Sequence, residues 1–132
     1  MEEKRLRKIA LFESLPTDAR RTIAQHAEEL DVPAGNALAR QGDFAYEFFV
    51  IEDGAAEVLR DGEKIAELGP GDFLGEMGIV GRVVRNASVV TTAPSRVIVM
   101  SEQDFRSMSR TNAAVASRIT AAVEQRCQAL VT

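Results

Sequence analysis

Residues Ala56–Asp72 read AEVLRDGEKIAELGPGD, and the fold is decided in that stretch. Two short runs, Ala56–Arg60 and Glu63–Leu68, flank the pair Asp61-Gly62. Aspartate and glycine tolerate the left-handed backbone that a two-residue hairpin turn demands, so the stretch reads as two antiparallel strands joined by a tight turn. Gly69-Pro70-Gly71-Asp72 then stops the second strand. Similar punctuation recurs outward in both directions, at Pro33-Ala34-Gly35, Gln41-Gly42-Asp43, Asp53-Gly54 and Ala93-Pro94-Ser95, with short runs between. Short strands recurring about every 8–12 residues predict an antiparallel sandwich or barrel. Phe48, Val50, Val58, Ile65, Leu68, Val89, Val97 and Val99 are the candidates for its interior.

Helical periodicity brackets this middle. Leu6, Ile9, Ala10 and Leu11 predict a short amphipathic helix. Pro16-Thr17-Asp18 predicts the start of a second, with Thr17 as cap, Asp18 in the first turn, and Ala19, Ile23, Ala27 and Leu30 along one face. His26 falls on its polar side among Gln25, Glu28 and Glu29 and reads as a solvated histidine. After Met100 the helical period returns: Ser101 can cap a short helix through Met108, and Asn112 a long one to about Leu130. The expected organisation is a single domain over 1–132, with N-terminal helices in 1–30, strands in 31–101 and C-terminal helices in 102–131.

Composition narrows the function. A chain of 132 residues, 45% apolar and 27% charged, fits one soluble globular domain. Sixteen basic against twenty acidic residues leave a net charge of -4, which disfavours direct nucleic-acid binding. One histidine and one cysteine do not make a metal site of the usual three or four protein ligands, so neither metal nor metal-dependent catalysis is expected. The single Cys127, no signal peptide and no long apolar run point to a cytoplasmic chain without a membrane segment.

Function concentrates in Phe73–Val89, FLGEMGIVGRVVRNASV. Gly75-Glu76 is followed by a run long enough for one or two helical turns, then by Arg85 and the small residues Asn86, Ala87 and Ser88. Backbone N–H groups at a helix start and a guanidinium fork both suit a compact anion, and a carboxylate beside them can accept from a hydroxyl. Taken singly, Glu76 reads as a solvated turn residue and Arg85 as a surface arginine; the pair at this spacing is what points to a ligand. Along the last helix, Val115, Ile119 and Ala122 form an apolar stripe that runs on to Arg126. That arginine either snorkels and complements the helix dipole or reaches a polar group of a ligand.

Gly75-Glu76-Met77-Gly78 through Arg85-Asn86-Ala87-Ser88-Val89 resembles the phosphate-binding cassette of the cyclic nucleotide-binding domain family. Pro33-Ala34-Gly35 leading to Arg40-Gln41-Gly42-Asp43, the strand Phe48–Ile51 ending at Gly54, and Leu68–Phe73 resemble the same family's punctuation. The likeness covers about Leu11 to Arg126 and is to bacterial sensor domains of the cAMP receptor and cyclic-nucleotide-gated channel type, here without an effector domain. It implies a mainly β fold with flanking helices: an eight-stranded antiparallel β-roll, or double-stranded β-helix jelly roll, with a C-terminal hinge and lid helix. It further implies that Glu76 accepts from the ribose 2′-hydroxyl and Arg85 pairs with the cyclic phosphate. Leu74, Gly75, Met77, Gly78, Asn86 and Ala87 line the cradle, Ser88 bears on the base, and Arg126 lies over the purine. Two positions depart from the pattern: Val84 stands where proline is common and Gly78 where alanine is frequent.

The expected function is a regulatory sensor that binds cyclic AMP in preference to cyclic GMP, with no cofactor and no catalytic residues. Its partner would be a homodimer mate or an effector protein engaged through the C-terminal helix. Three alternatives stand beside it: a ligand-free interaction module on the same fold, a sensor of another small anion, and a metal-dependent jelly-roll enzyme of the cupin kind, which the single histidine disfavours.

Overall fold

A computed structural model describes residues 1–13, 15–42, 47–74, 87–113, 117 and 121. The chain divides into two compact units, one of Met1–His26 with Gln103–Thr132 and the other of Ala27–Glu102.

Among the described residues the second unit contains eight strands in two four-stranded antiparallel sheets. In chain order they are β1 (Glu28–Val32), β2 (Ala37–Ala39), β3 (Glu47–Asp53), β4 (Ala56–Arg60), β5 (Glu63–Leu68), β6 (Phe73–Leu74), β7 (Ser88–Thr91) and β8 (Ser95–Ser101). One sheet has the order β1-β8-β3-β6 and the other β2-β7-β4-β5. This is the mainly β roll that the sequence predicts. Phe49, Ile51, Leu74, Val97 and Val99 of the first sheet join Ala39, Ala56 and Val89 of the second in one buried cluster, with Val32, Leu38, Val58 and Leu68 packed against it. The alternate residues Phe48, Val50, Ile98 and Met100 are also buried, so β3 and β8 are hidden on both faces and read as continuous apolar runs. The rings of Phe48 and Phe73 lie 5.5 Å apart.

The Ala56–Leu68 hairpin forms with the expected bounds. Asp61 and Gly62 both take positive φ, 53° and 83°, which matches the right-handed twist of the strands they join. One expected core residue is misplaced: Ile65 is 47% exposed. It is an extra residue between the pairs Val58–Ala66 and Leu59–Lys64, a bulge on an edge strand that turns its side chain away from the core.

Two corners hold the sheets in register. At the first, the buried Thr91 hydroxyl donates to Pro33 O at 2.7 Å and accepts from Asn36 N–H at 2.9 Å, tying the β1–β2 corner to the end of β7. At the second, Gly54 has φ +107°, and a Cβ there would stand 2.7 Å from Ser95 Cα. Only glycine allows the turn after β3 to pass so close to the start of β8.

The helical unit differs from the sequence expectation at three points, one being that the helix after Ser101 runs to Thr111, past the expected end at Met108. The first helix is two single turns, α1 (Glu3–Leu6) and α2 (Ala10–Glu13), linked by a tight bond from Ile9 N–H to Leu6 O at 3.1 Å. That step lets Leu6, Ile9, Leu11 and Phe12 all be buried. The second, α3 (Thr17–His26), begins where predicted but stops before Leu30. The first strand accordingly starts at Glu28, ahead of the expected boundary at Asp31, because Glu28–Val32 pairs with β8 from Glu28↔Val99 to Val32↔Ser95. Ladder pairing with a distant strand overrode a local helical stripe.

Arg20 organises this unit. Its side chain is buried and donates to Glu3 Oε1 at 2.6 Å, to Glu13 O at 3.2 Å, to Leu15 O and to Thr17 Oγ1 at 3.3 Å. Bonds from Arg7 and Arg20 hold the Glu3 carboxyl down from 4.5 to about 2. α4 (Glu102–Thr111) follows Ser101, and Asn112 breaks the helical run before Ala113.

Two expected outcomes follow from these contacts. Gly54→Ala adds a positive-φ penalty to a clash with Ser95 and lowers stability by about 2–4 kcal/mol in denaturant unfolding. Because the folded-state pKa of Glu3 is depressed, its stabilisation is complete above pH 4.5 and fades as pH falls toward 2. Glu3→Gln therefore melts below the wild type at pH 7, and the two melting curves converge near pH 2.

Candidate functional site

Residues on either side of 75–86 set the frame of that segment. Leu74 closes β6 at the edge of the first sheet, where it pairs with Phe49 and is 4% exposed. Asp72 delivers that strand: its carboxylate accepts from Gly69 N–H at 2.7 Å, and its carbonyl accepts from Ile51 N–H at 2.8 Å. Gly71, at φ +89°, donates from N–H to Ile51 O at 2.8 Å in the same turn. The other end is in the second sheet. Ala87 precedes β7, Ser88 opens it opposite Leu59, and Val89 enters the same buried cluster as Leu74. Residues 75–86 thus connect a strand of one sheet to a strand of the other.

Of the residues singled out in the sequence, Leu74, Ala87 and Ser88 are placed by the structure. Leu74 contributes its side chain to the core. Ala87 and Ser88 are half-buried. Gly75, Glu76, Met77, Gly78, Arg85, Asn86 and Arg126 lie outside the described residues, as does Val84. Phe105 falls in α4.

The structure adds two residues that the sequence treats only as turn punctuation. Ser88 Oγ accepts from the Gln41 backbone N–H at 2.9 Å. The Gln41 side chain in turn accepts from Asp61 N–H and donates to Asp61 Oδ1, both at 2.9 Å. No local pattern signals this contact, since the partners are separated by 47 and 20 positions. His26 is solvent-exposed, as the sequence indicates, with its ring Nδ1 2.8 Å from Thr22 O.

Residues 29–112 match the cyclic nucleotide-binding domain family, and the chain belongs to that family. The cAMP-dependent protein kinase regulatory subunit of Yarrowia lipolytica is 33% identical over 96 residues, covering 73% of this chain and 26% of that protein. A cyclic nucleotide-binding-like protein from Brucella abortus is 31% identical, with a TM-score of 0.65, over 79% of this chain and 93% of that one. The structure described as cAMP-bound PfPKA-R superposes with a TM-score of 0.88 at 20% identity, covering 98% of this chain and 45% of that one, which is a likeness of fold. The chain spans about a quarter of the yeast regulatory subunit's length, 26%.

Because Leu74 anchors the segment from inside the core, Leu74→Ala lowers unfolding stability by about 2–5 kcal/mol. Chemical denaturation followed by circular dichroism measures it.

Proposed function

We propose that this chain is a regulatory sensor that binds a cyclic nucleotide, cyclic AMP in preference to cyclic GMP, and performs no catalysis. The observation that carries the reading is the family match over residues 29–112, which contains the whole of Phe73–Val89. Arg85 pairs with the cyclic phosphate through its planar fork, and backbone N–H groups from Gly75 to Gly78 and at Asn86 and Ala87 complete the cradle. Glu76 accepts from the ribose 2′-hydroxyl. The name of the Yarrowia relative, a cAMP-dependent regulatory subunit, supports the adenine nucleotide.

Signalling in this reading is a population shift. Capture of the phosphate favours a state in which α4, around Phe105, moves inward and the helix after Asn112 closes as a lid, with Arg126 over the purine. The effector is a kinase-type partner or a second copy, engaged through the apolar stripe of Val115, Ile119 and Ala122. The sensor acts in the cytoplasm.

Calorimetric titration with both nucleotides tests the reading. The wild type binds cyclic AMP more tightly than cyclic GMP, and Arg85→Ala loses about 2–5 kcal/mol of cyclic AMP binding. Equal cyclic AMP affinity for that variant and the wild type would sink it.

A further inference from the structure

Among the described residues Asp61 is the one non-glycine residue with positive φ, at 53°. An Asp-Gly turn closes a hairpin without outside help, yet this one is gripped by another loop. Asp61 N–H donates to Gln41 Oε1 at 2.9 Å, and Gln41 Nε2 donates to Asp61 Oδ1 at the same distance. The grip does not end at Gln41. Its backbone N–H donates to Ser88 Oγ at 2.9 Å, so one glutamine joins the tip of the β4–β5 hairpin to the first residue of β7. Arg85 stands three positions before Ser88.

From this geometry we propose that Gln41 and Asp61 are positioning residues for anion capture. Their clasp holds Ser88, and through Ser88 it sets the point from which the chain bearing Arg85 departs. The proposal rests on the sensing function given above. A guanidinium presented from a fixed point loses less freedom when it closes on a phosphate, so the clasp strengthens binding by preorganisation without touching the ligand. The phosphate is common to both nucleotides. The clasp therefore raises affinity for cyclic AMP and cyclic GMP by the same factor and leaves their ratio unchanged.

The test is calorimetric titration of both nucleotides into the wild type and four variants, with thermal melting alongside. The variants are Gln41→Ala, Gln41→Glu, Asp61→Asn and the pair Gln41→Glu/Asp61→Asn. Gln41→Ala weakens both nucleotides by about three- to tenfold, the scale of one or two exposed hydrogen bonds, and the protein remains folded. Gln41→Glu sets two carboxylates together and also weakens binding. Asp61→Asn keeps an acceptor for the Gln41 amide and binds as the wild type does. The paired variant returns to within about twofold of wild type, because an amide at 61 can donate to a carboxylate at 41. A merely structural turn contact would shift the melting temperature without this pattern of loss and rescue in affinity. Wild-type affinity in Gln41→Ala, a Gln41→Glu defect that Asp61→Asn does not relieve, or a changed nucleotide ratio would each overturn the proposal. A wild type that binds neither nucleotide would remove the sensing reading together with it, whereas binding that ignores Gln41 removes the clasp alone.

Discussion

One apolar cluster, shared between two sheets, is the constraint on which the rest depends. Leu74 enters it from the edge of one sheet and Val89 from the interior of the other. Full burial of side chains of this size contributes about 1.5–3 kcal/mol each. Neither end of residues 75–86 can therefore shift without disturbing the core that holds the sheets together. Leu74 and Val89, on either side of residues 75–86, are both buried, the arrangement in which a connection gains precision from a rigid scaffold.

The two units solve the same problem by different chemistry. The roll is held by apolar alternation and by glycines where backbones meet, as at Gly54 and Ser95. The N-terminal helices are too short to be stable on their own, and a buried guanidinium gathers their ends instead. Arg20 satisfies carbonyls left over where α2 stops and holds the Glu3 carboxylate of α1 in the same network. Such a hub is specific because a hydrocarbon side chain would leave those carbonyls without donors.

What could be read from the sequence is what local chemistry determines. Asp61-Gly62 between two strand runs gave both strands of the hairpin to the residue, and the apolar run at Phe48–Ile51 marked a central strand. The ordered glycines, Glu76 and Arg85 carried a likeness to a family, and the match over 29–112 bears out that membership. What escaped was set by distant partners. Ile65 looked like core until the ladder register made it a bulge. Leu30 fitted a helical face until β8 claimed it as a strand residue. Arg20 was one basic residue among sixteen, and nothing local announces that its guanidinium is buried. Gln41 was similarly hidden, since its role exists only where two turns far apart in the chain come together.

The bulge at Ile65 also affects how the roll meets its neighbours. An open sheet edge offers a row of backbone donors and acceptors to any passing strand, and β5 is such an edge. Its irregular register interrupts that row, and Glu63, Lys64 and Glu67 crowd it with charge, Lys64 being held by Glu67 along the strand. At the border of the other sheet, β1 presents Glu28, Glu29 and Asp31. A roll with blunted borders can sit beside copies of itself, or be strung with other domains on one polypeptide, without its strands zipping together into aggregates.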